Sequence, residues 1–371
     1  MIPLYQRNEV PKNKKGNRKM KKIIALLLAA VMLLGLAACA AKTEPAPAQT
    51  ETKTEAPAAE TPAQTEETPA ETAEADSAKT YKIGFSVKTL TNEPFQAFIA
   101  DMIKTKVEEA GCEFVLATTS SAEDVAQQVS QIEDMLQSGI DALIVNPLDS
   151  SAVIPALEKC KEAGVPVIMV DSGPAEGTDE SLYVTYIGTD NYAGSKTAAE
   201  KMVEELNGEG KVVIVRGVSG NTAGEARANG FKAGLEGSNV QLVAEQPGNW
   251  SNDDALQALE NMLIANPDLN GVYSCSDVML DGILEAIENS GRDDILIYSF
   301  DGLSNGCQLV LDGKVNATMQ QYPAVMGELA VEYILQILNG EKTVNDFEKF
   351  IDSGVAYVTQ DTAADALLNA A

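Results

Sequence analysis

Short apolar runs alternate with longer amphipathic segments from Tyr81 to the end of the chain. This alternation is typical of βα units whose strands are buried in a parallel sheet. The predicted strands lie at 82–87, 113–117, 142–145, 167–170, 183–187, 211–215, 240–244, 271–273, 296–299 and 317–319. The predicted helices lie at 95–110, 122–138, 151–163, 192–206, 223–235, 253–265, 278–289 and 323–338. Two series of such units predict two doubly wound α/β lobes.

Polar and aromatic side chains follow the predicted strands, at the edge where parallel sheets place their ligands. They are residues 88–95, Asn146, Asp171 and Ser172 in the first series, and Arg227, Trp250, Ser276, Asp277, Phe300, Asp301 and Gln321 in the second. This mixture suits a carbohydrate, because sugar hydroxyls need polar partners while the apolar ring face packs on an aromatic side chain. Asp and Asn after a strand are also common helix caps. The residue types alone therefore leave both interpretations open.

The amino-terminal stretch predicts export. A basic run precedes the apolar residues 23–34, which are too few to cross a bilayer core that needs about 20 residues. Residues 36–39 resemble the lipobox of bacterial lipoproteins, which implies cleavage after residue 38 and lipid modification of Cys39. The alternative is an ordinary secretory signal that happens to end near a cysteine.

Residues 39–79 predict a disordered tether, because after Cys39 they contain no aromatic and no branched aliphatic side chain that could build a core. About 290 residues then remain to fold, which suits two domains of about 150 residues each.

Composition narrows the possible chemistry. The chain has a formal charge of −28, and because residues 1–38 carry eight basic side chains and one acidic one, the exported part has −35. This charge disfavours nucleic acid as a partner. The absence of histidine excludes Ser-His-Asp, Cys-His and His-zinc sites.

No sequence feature predicts a cofactor or metal site. Residues 266–270 lack the spacing of a calcium loop, and residues 217–224 match no phosphate-loop pattern, so both are interpreted as turns. The cysteines downstream of Cys39 are widely spaced and favour buried free thiols, although a disulfide stays open. They are Cys112, Cys160, Cys275 and Cys307.

Six segments resemble the periplasmic sugar-binding proteins of ABC importers, in the branch of the ribose- and galactose-binding proteins. They are VNPLDS (145–150), PVIMVDSG (166–173), YIGTDNYAG (186–194), EARANGF (225–231), SFDGL (299–303) and NATMQQYP (316–323). Their order and spacing make the resemblance specific. It covers residues 81 to about 362.

The resemblance implies the type 1 periplasmic binding protein fold, with two lobes joined by three chain crossings that close on one sugar. It implies a first lobe of residues 80–189 with 322–351 and a second of 190–321 with 352–371. The family's ligand contacts fall on Asn92, Phe95, Asn146, Asp171, Arg227, Trp250, Asp301 and Gln321. Phe95 and Trp250 would sandwich the ring, the two aspartates would accept from hydroxyls, Arg227 would donate, and Gln321 would couple ligand to hinge.

Because of three departures from the ribose-type pattern, ribose is not carried over as the expected ligand. Ser172 stands where those proteins have arginine, Gln96 replaces a second aromatic residue beside Phe95, and Ser276 replaces an asparagine. A site of paired polar groups discriminates against ligands that leave them unmatched. Lys88 either replaces part of the missing positive charge or is a solvated strand-end lysine, and the second interpretation is favoured.

These features predict a lipid-anchored, extracytoplasmic, monomeric receptor without a cofactor that closes on a sugar and delivers it to an ABC permease. Its only membrane contact would be the lipid. A receptor for a non-sugar signal or a chemosensory ligand is an alternative. A surface glycosidase using Asp171 and Asp301 is disfavoured, because Arg227 and the aromatic pair are typical of binding. A repressor would need a basic helix-turn-helix, and none precedes Tyr81.

Overall fold

The computed structural model describes residues 80–91, 93–121 and 124–371. The predictions for the signal peptide, Cys39, the tether and Asn92 lie outside these residues. The strands are β1 Lys82–Val87, β2 Glu113–Thr118, β3 Ala142–Val145, β4 Val167–Val170, β5 Thr185–Gly188, β6 Glu209–Arg216, β7 Asn239–Pro247, β8 Gly271–Ser274, β9 Leu296–Asp301, β10 Ala317–Gln321, β11 Phe350–Asp352 and β12 Val355–Val358. The helices are α1 Pro94–Glu109, α2 Val125–Gln137, α3 Ile154–Glu162, α4 Asn191–Glu205, α5 Thr222–Leu235, α6 Asn252–Ala265, α7 Leu280–Ser290, α8 Ser304–Leu311, α9 Pro323–Leu338 and α10 Ala363–Ala366.

The first sheet has the strand order β11-β5-β4-β3-β1-β2, and all its neighbours are parallel. Strand side chains alternate between its two faces. Ala142 and Ile144 of β3 pack with residues of α1 and α9, whereas Leu143 and Val145 pack with residues of α2 and α3. Because helices cover both faces, every residue of β3 is apolar and buried.

The second sheet has the order β12-β10-β9-β8-β6-β7, with helices α4 to α7 contributing to one continuous core. The prediction of two doubly wound lobes is confirmed. At one edge of this sheet, β12 runs antiparallel to β10, which the sequence did not indicate. Strands β11 and β12 and helices α8 and α10 were not predicted from the sequence.

The chain crosses between the sheets three times: from β5 to α4, from β10 to α9, and from β11 to β12. The first and third crossings are bonded to each other. Asp352 Oδ1 accepts from the backbone N–H of Asp190 (3.2 Å) and of Gly354 (2.9 Å), and Thr189 Oγ1 donates to the Gly354 carbonyl (3.3 Å). The predicted three-crossing hinge is therefore confirmed.

The two lobes also touch beyond the hinge. Asn221 Nδ2 donates to Ser172 Oγ (3.0 Å), and Thr222 Oγ1 donates to the Gly173 carbonyl (3.1 Å) and lies 3.1 Å from Ser150 Oγ. These bonds join residues before and within the first turn of α5 to loops of the first lobe. The structure thus shows the lobes in a closed arrangement.

Within the described residues, no helix combines the length and apolarity that crossing a bilayer requires. The four cysteines of this part of the chain form no disulfide. Cys160, Cys275 and Cys307 are buried, as predicted, but Cys112 is only half-buried.

Candidate ligand-binding site

A cavity lies where the carboxyl ends of both sheets face each other. Its volume is about 40 Å³. Its lining residues are Lys88, Thr89, Glu93, Phe95, Gln96 and Asp171 from the first lobe, and Asn221, Ala223, Arg227, Trp250, Ser276, Val278 and Asp301 from the second. The position follows the rule for doubly wound sheets, in which ligands bind beyond the strand ends.

Asp171, directly after β4, organises the first half-site, which also contains Lys88, Gln96, Asn146 and Ser172. Its Oδ2 accepts from Asn146 Nδ2 (2.8 Å), Lys88 Nζ (3.0 Å) and Gln96 Nε2 (3.3 Å). Lys88 Nζ also donates to Ser172 Oγ (2.7 Å). Burial disfavours the charge on Asp171, but the charges of Lys88 and Arg227 and the bond from Asn146 hold its pKa below the ordinary value.

Asp301, at the end of β9, organises the second half-site, which also contains Asn191, Arg227, Ser276 and Gln321. Its Oδ1 accepts from Gln321 Nε2 (2.7 Å) and Arg227 Nη1 (2.9 Å), and Ser276 Oγ donates to Oδ2. Arg227 Nε donates to Asn191 Oδ1 (2.7 Å). Arg227 is 4% exposed, so this ion pair lies inside the protein.

A second buried acid changes the electrostatics of the second half-site. Asp277 is fully buried and accepts from the Leu303 N–H (2.9 Å) and from Thr318 Oγ1 (2.8 Å). Burial and the charge of Asp301 raise the pKa of Asp277 to about 7. Burial also raises the pKa of Asp301, despite the opposing charge of Arg227. The second half-site therefore contains two buried acids for one arginine, and burial favours the protonated form of both.

Aromatic rings reach the cavity from both lobes. Phe95 comes from the first turn of α1 and is 5% exposed, while Trp250 precedes α6. A Cβ at Gly217 would lie 2.0 Å from the Trp250 ring, so only glycine admits the indole there. The Arg227 guanidinium carbon lies 4.1 Å from the Phe300 ring centroid and 5.9 Å from that of Trp250.

Three cavity residues adopt positive φ angles, which non-glycine residues rarely do. The angles are 61° for Asp171, 118° for Asp301 and 57° for Trp250. Such conformations cost about 1–3 kcal/mol each and cluster at functional sites. Both organising aspartates thus have strained backbones at equivalent places in the two lobes.

Two buried amide oxygens beside these aspartates have no hydrogen-bond partner among the described residues. They are Asn146 Oδ1 and Gln321 Oε1. The two side chains are 0% and 1% exposed. An unsatisfied buried acceptor costs about 1–3 kcal/mol, so each half-site contains an acceptor that a hydroxyl donor would stabilise.

A sequence profile described as a periplasmic binding protein domain matches residues 83–342. The chain belongs to the periplasmic binding protein family. Among relatives in this family, the ribose import binding protein of Bacillus subtilis (strain 168) is 34% identical over 270 residues, 73% of this chain and 86% of the relative.

Two solved structures of the family share the fold. An ABC transporter solute binding protein from Agrobacterium vitis with bound D-fucose has a TM-score of 0.72 and 28% identity, covering 78% of this chain and 99% of that one. One from Actinobacillus succinogenes 130z with bound D-allose has a TM-score of 0.69 and 28% identity, covering 77% and 100%. These relatives are binding proteins rather than enzymes, which supports the predicted receptor over the glycosidase.

The structure brings seven of the eight predicted contact residues of this family member to one place. Phe95, Asp171, Arg227, Trp250 and Asp301 line the cavity. Asn146 and Gln321 lie behind it and donate to Asp171 and Asp301, respectively. Asn92 lies outside the described residues. Contact with a ligand stays a prediction for all eight.

The favoured interpretation of Lys88 as a solvated lysine is wrong. Lys88 is only 9% exposed, and its ammonium group is bonded to both Asp171 and Ser172. Lys88 therefore supplies a positive charge beside Asp171 in place of the arginine that Ser172 replaces, because a buried carboxylate needs a cation nearby.

Several cavity residues were not predicted as contacts. Gln96 and Ser276 were treated as lost contacts, yet both bond to an organising aspartate. Asn221 was assigned to a turn, and it does cap α5 by accepting from the Gly224 N–H (3.1 Å), but its Nδ2 also crosses the cleft. Glu93 was passed over within its strand-end segment. The only sequence signal for these residues was their position after a predicted strand. That position does not indicate which side chains point into the cavity.

Proposed function

We propose that the protein is a lipid-anchored extracytoplasmic receptor that captures a monosaccharide between its lobes and delivers it to an ABC permease. The observation that carries this proposal is the cavity with one organising aspartate from each lobe and an aromatic ring from each lobe. Polar groups for hydroxyls and apolar surfaces for a ring face are what a sugar requires. The names of the relatives and the sugars bound in the solved structures also support a sugar ligand.

The charges in the cavity favour an uncharged ligand. Lys88 pairs with Asp171 and Arg227 pairs with Asp301, so each cation already has a carboxylate partner. An anionic ligand would have to compete with these buried pairs, which are costly to break. A sugar or polyol avoids this competition, and this argument favours it over a charged signal molecule.

Each predicted contact has a role in this proposal. Asp171 and Asp301 accept from sugar hydroxyls, Arg227 donates, and Phe95 and Trp250 pack on the two faces of the ring. Asn146 contributes an amide contact, and so does Asn92, which lies outside the described residues. Gln321 joins the ligand-bound Asp301 to the crossing between β10 and α9, which links binding to closure.

Two of the three differences from the ribose-type pattern, Ser172 and Gln96, form one connected set in the first half-site. Lys88 reaches Ser172, and Gln96 reaches both Asp171 and Asn146, whose Nδ2 donates to Gln96 Oε1 (2.6 Å). This network replaces an arginine and an aromatic ring. We therefore propose a pentose or hexose with a hydroxyl arrangement other than that of ribose.

Anchoring and domain limits are part of the same proposal. A lipid on Cys39 and a tether to residue 79 would confine a monomeric receptor near its permease and raise its effective concentration there. The first lobe comprises residues 80–189 with 322–351, and the second comprises 190–321 with 352–371. Cys39→Ser should move the protein from the membrane fraction to the soluble fraction, and retention of the variant in the membrane would contradict the anchor.

Isothermal titration of the purified protein tests the ligand class. The panel contains pentoses, hexoses and polyols, with amino acids as charged controls. We expect a dissociation constant of about 1 μM or below, equivalent to about −8 kcal/mol, for at least one neutral sugar. Binding of an amino acid, or of no sugar at all, would contradict the proposal.

A further inference from the structure

A second cavity, the hinge pocket, lies between the lobes beside the first chain crossing. Its volume is about 340 Å³, within the range of about 300–1,000 Å³ that is usual for small-molecule sites. Gly173, Tyr186 and Phe350 line it from the first lobe, and Tyr192 and Thr222 line it from the second. The proposed function assigns no ligand to this pocket.

Aromatic rings from both lobes line the hinge pocket. Tyr186 of β5 and Phe350 of β11 stack with their ring centroids 5.3 Å apart and their planes at 27°. Phe350 is 42% exposed, and Tyr192, in the first turn of α4, is 45% exposed. Exposed aromatic side chains that converge on one cavity, instead of lying scattered over the surface, mark a binding surface.

Tyr186 forms a fixed part of the pocket wall. Its hydroxyl group donates to the backbone carbonyl of Asp171 (2.9 Å). A Cβ at Gly173 would lie 2.9 Å from the Tyr186 ring, and a Cβ at Gly188 would overlap the hydroxyl group. The ring therefore packs closely between two glycines, and a wall that is already ordered lowers the entropic cost of binding.

The charge of the lining favours a cation. Among the described residues that line the pocket, only Asp190 has a charged side chain, and Asp352 lies beside it and accepts from its backbone N–H (3.2 Å). Arg227, which bonds to Asn191 of the lining, is already paired with Asp301. Because aromatic faces and carboxylates both attract positive charge, this lining suits a small organic cation.

The hinge pocket depends on the closed arrangement of the lobes. Thr222 Oγ1 donates to the Gly173 carbonyl (3.1 Å), and these two residues line the pocket from different lobes. Separating the lobes would break this bond and move the walls apart. The pocket also adjoins the ligand cavity, because Ala223 lines both. Tyr186 and Asn191 connect its wall to the organising aspartate of the first half-site and to the cation of the second.

We propose that the hinge pocket is a second ligand site, which binds a small alkylated ammonium cation and thereby favours the closed arrangement. The aromatic rings surround the cation, and Asp190 supplies the negative charge. Because the walls come from both lobes, the closed state binds the cation more tightly than an open state does. By linkage, the cation and the sugar each strengthen the binding of the other. Cation binding goes beyond the proposed function, and only its coupling to sugar rests on that function.

Calorimetry with choline at constant ionic strength tests the site itself. Its uncharged analogue dimethylbutanol, in which carbon replaces the nitrogen, should bind about tenfold more weakly. Tyr192→Ala removes one ring, and Asp190→Asn removes the charge but can still cap α4, so each should weaken choline binding about two- to fivefold. Ile264→Ala, at a position that is 81% exposed, should leave choline binding unchanged. Absent choline binding, equal binding of the analogue, or wild-type binding in both pocket variants would overturn the inference.

A second titration separates this inference from the sugar assignment. The tightest-binding sugar of the pentose and hexose panel is titrated with and without saturating choline. Choline should lower the sugar dissociation constant of the wild type about fivefold or more, and that of Tyr192→Ala less. No change, or an increase because choline competes for the sugar cavity, would overturn the inference. If choline binds as expected but no sugar does, the sugar assignment fails alone. If a sugar binds but choline does not, the hinge pocket assignment fails alone.

Discussion

The two half-sites are built on the same plan but differ in charge. Each has an aspartate with a positive φ angle at a strand end, a buried cation and an amide donor. Against the cost of burial, the charges of Lys88 and Arg227 hold the pKa of Asp171 below its ordinary value, whereas burial raises the pKa of Asp301 despite Arg227. The second half-site also lies beside the buried acid Asp277, whose pKa burial raises to about 7. The first half-site contains two of the three departures from the ribose-type pattern, and the second is bonded to the hinge through Gln321. We infer that the first selects the sugar and the second couples binding to closure.

The largest expected contrast is between the two cations. Arg227→Met should destabilise the fold by about 3–5 kcal/mol, because it leaves Asp301 buried without its cation. Lys88→Met should cost about 1–3 kcal/mol, since Asn146 and Gln96 still donate to Asp171. Urea unfolding measures both, with the exposed Lys196→Met as a control that should change little. A larger loss for Lys88→Met would reverse the comparison.

The aspartates should differ in binding. Asp301→Asn should weaken sugar binding by about 2–3 kcal/mol and Asp171→Asn by about 1–2 kcal/mol, because Asp301 alone is tied to Gln321 at a crossing. Calorimetry with the sugar that binds wild type measures both losses. Equal losses of binding free energy would contradict the inference that only the second half-site couples binding to closure.

The pH dependence of stability should locate the extra acid in the second lobe. Because folding raises the pKa of Asp277 to about 7, its ionisation destabilises the folded chain as pH rises from about 4 to about 7. Asp277→Asn should therefore be more stable relative to wild type at about pH 8 than at about pH 4, by at least about 1.4 kcal/mol. Asp171→Asn should show the opposite trend, because its lowered pKa stabilises the folded chain above its unfolded pKa. Parallel pH profiles for the two variants would contradict the assigned electrostatics.

The smallest expected effect concerns the contact between the lobes. Thr222→Val removes the bonds to Gly173 and Ser150 and should weaken sugar binding by about 0.5–1 kcal/mol while enlarging the ligand-free radius of gyration. The exposed neighbour Ser151→Ala should change neither quantity. Small-angle scattering and calorimetry compare the variants, and an unchanged Thr222→Val would assign closure to the ligand and hinge alone.

Sequence pattern was a good guide to the fold where elements are long and buried. The bounds of β1, β3, β4 and α9 agree with the predicted ranges. Strands β11 and β12 were missed because they have three and four residues and lie at sheet edges, where side chains are only partly buried. β11 is too short for a period-two pattern, and the four-residue apolar run of β12 was not recognised as a strand.

The site was predictable in outline but not in its ion pairs. Asp171 and Asp301 follow strands, so the sheet rule points to them directly. Whether Lys88 faces solvent or Asp171 depends on a partner 83 residues away, which local pattern does not reveal. The same limit applies to Asn221, whose local role as a helix cap concealed its bond across the cleft.

The central claim is that a sugar binds between the two half-sites, and Trp250 is the direct reporter because it is the only tryptophan in the chain and lines the cavity. Neutral monosaccharides should change its emission saturably, with the dissociation constant found by calorimetry. Trp250→Ala should weaken that binding by about 1–3 kcal/mol through the lost ring contact. A sugar that binds by calorimetry without altering Trp250 emission, and equally well to Trp250→Ala, would contradict the claim.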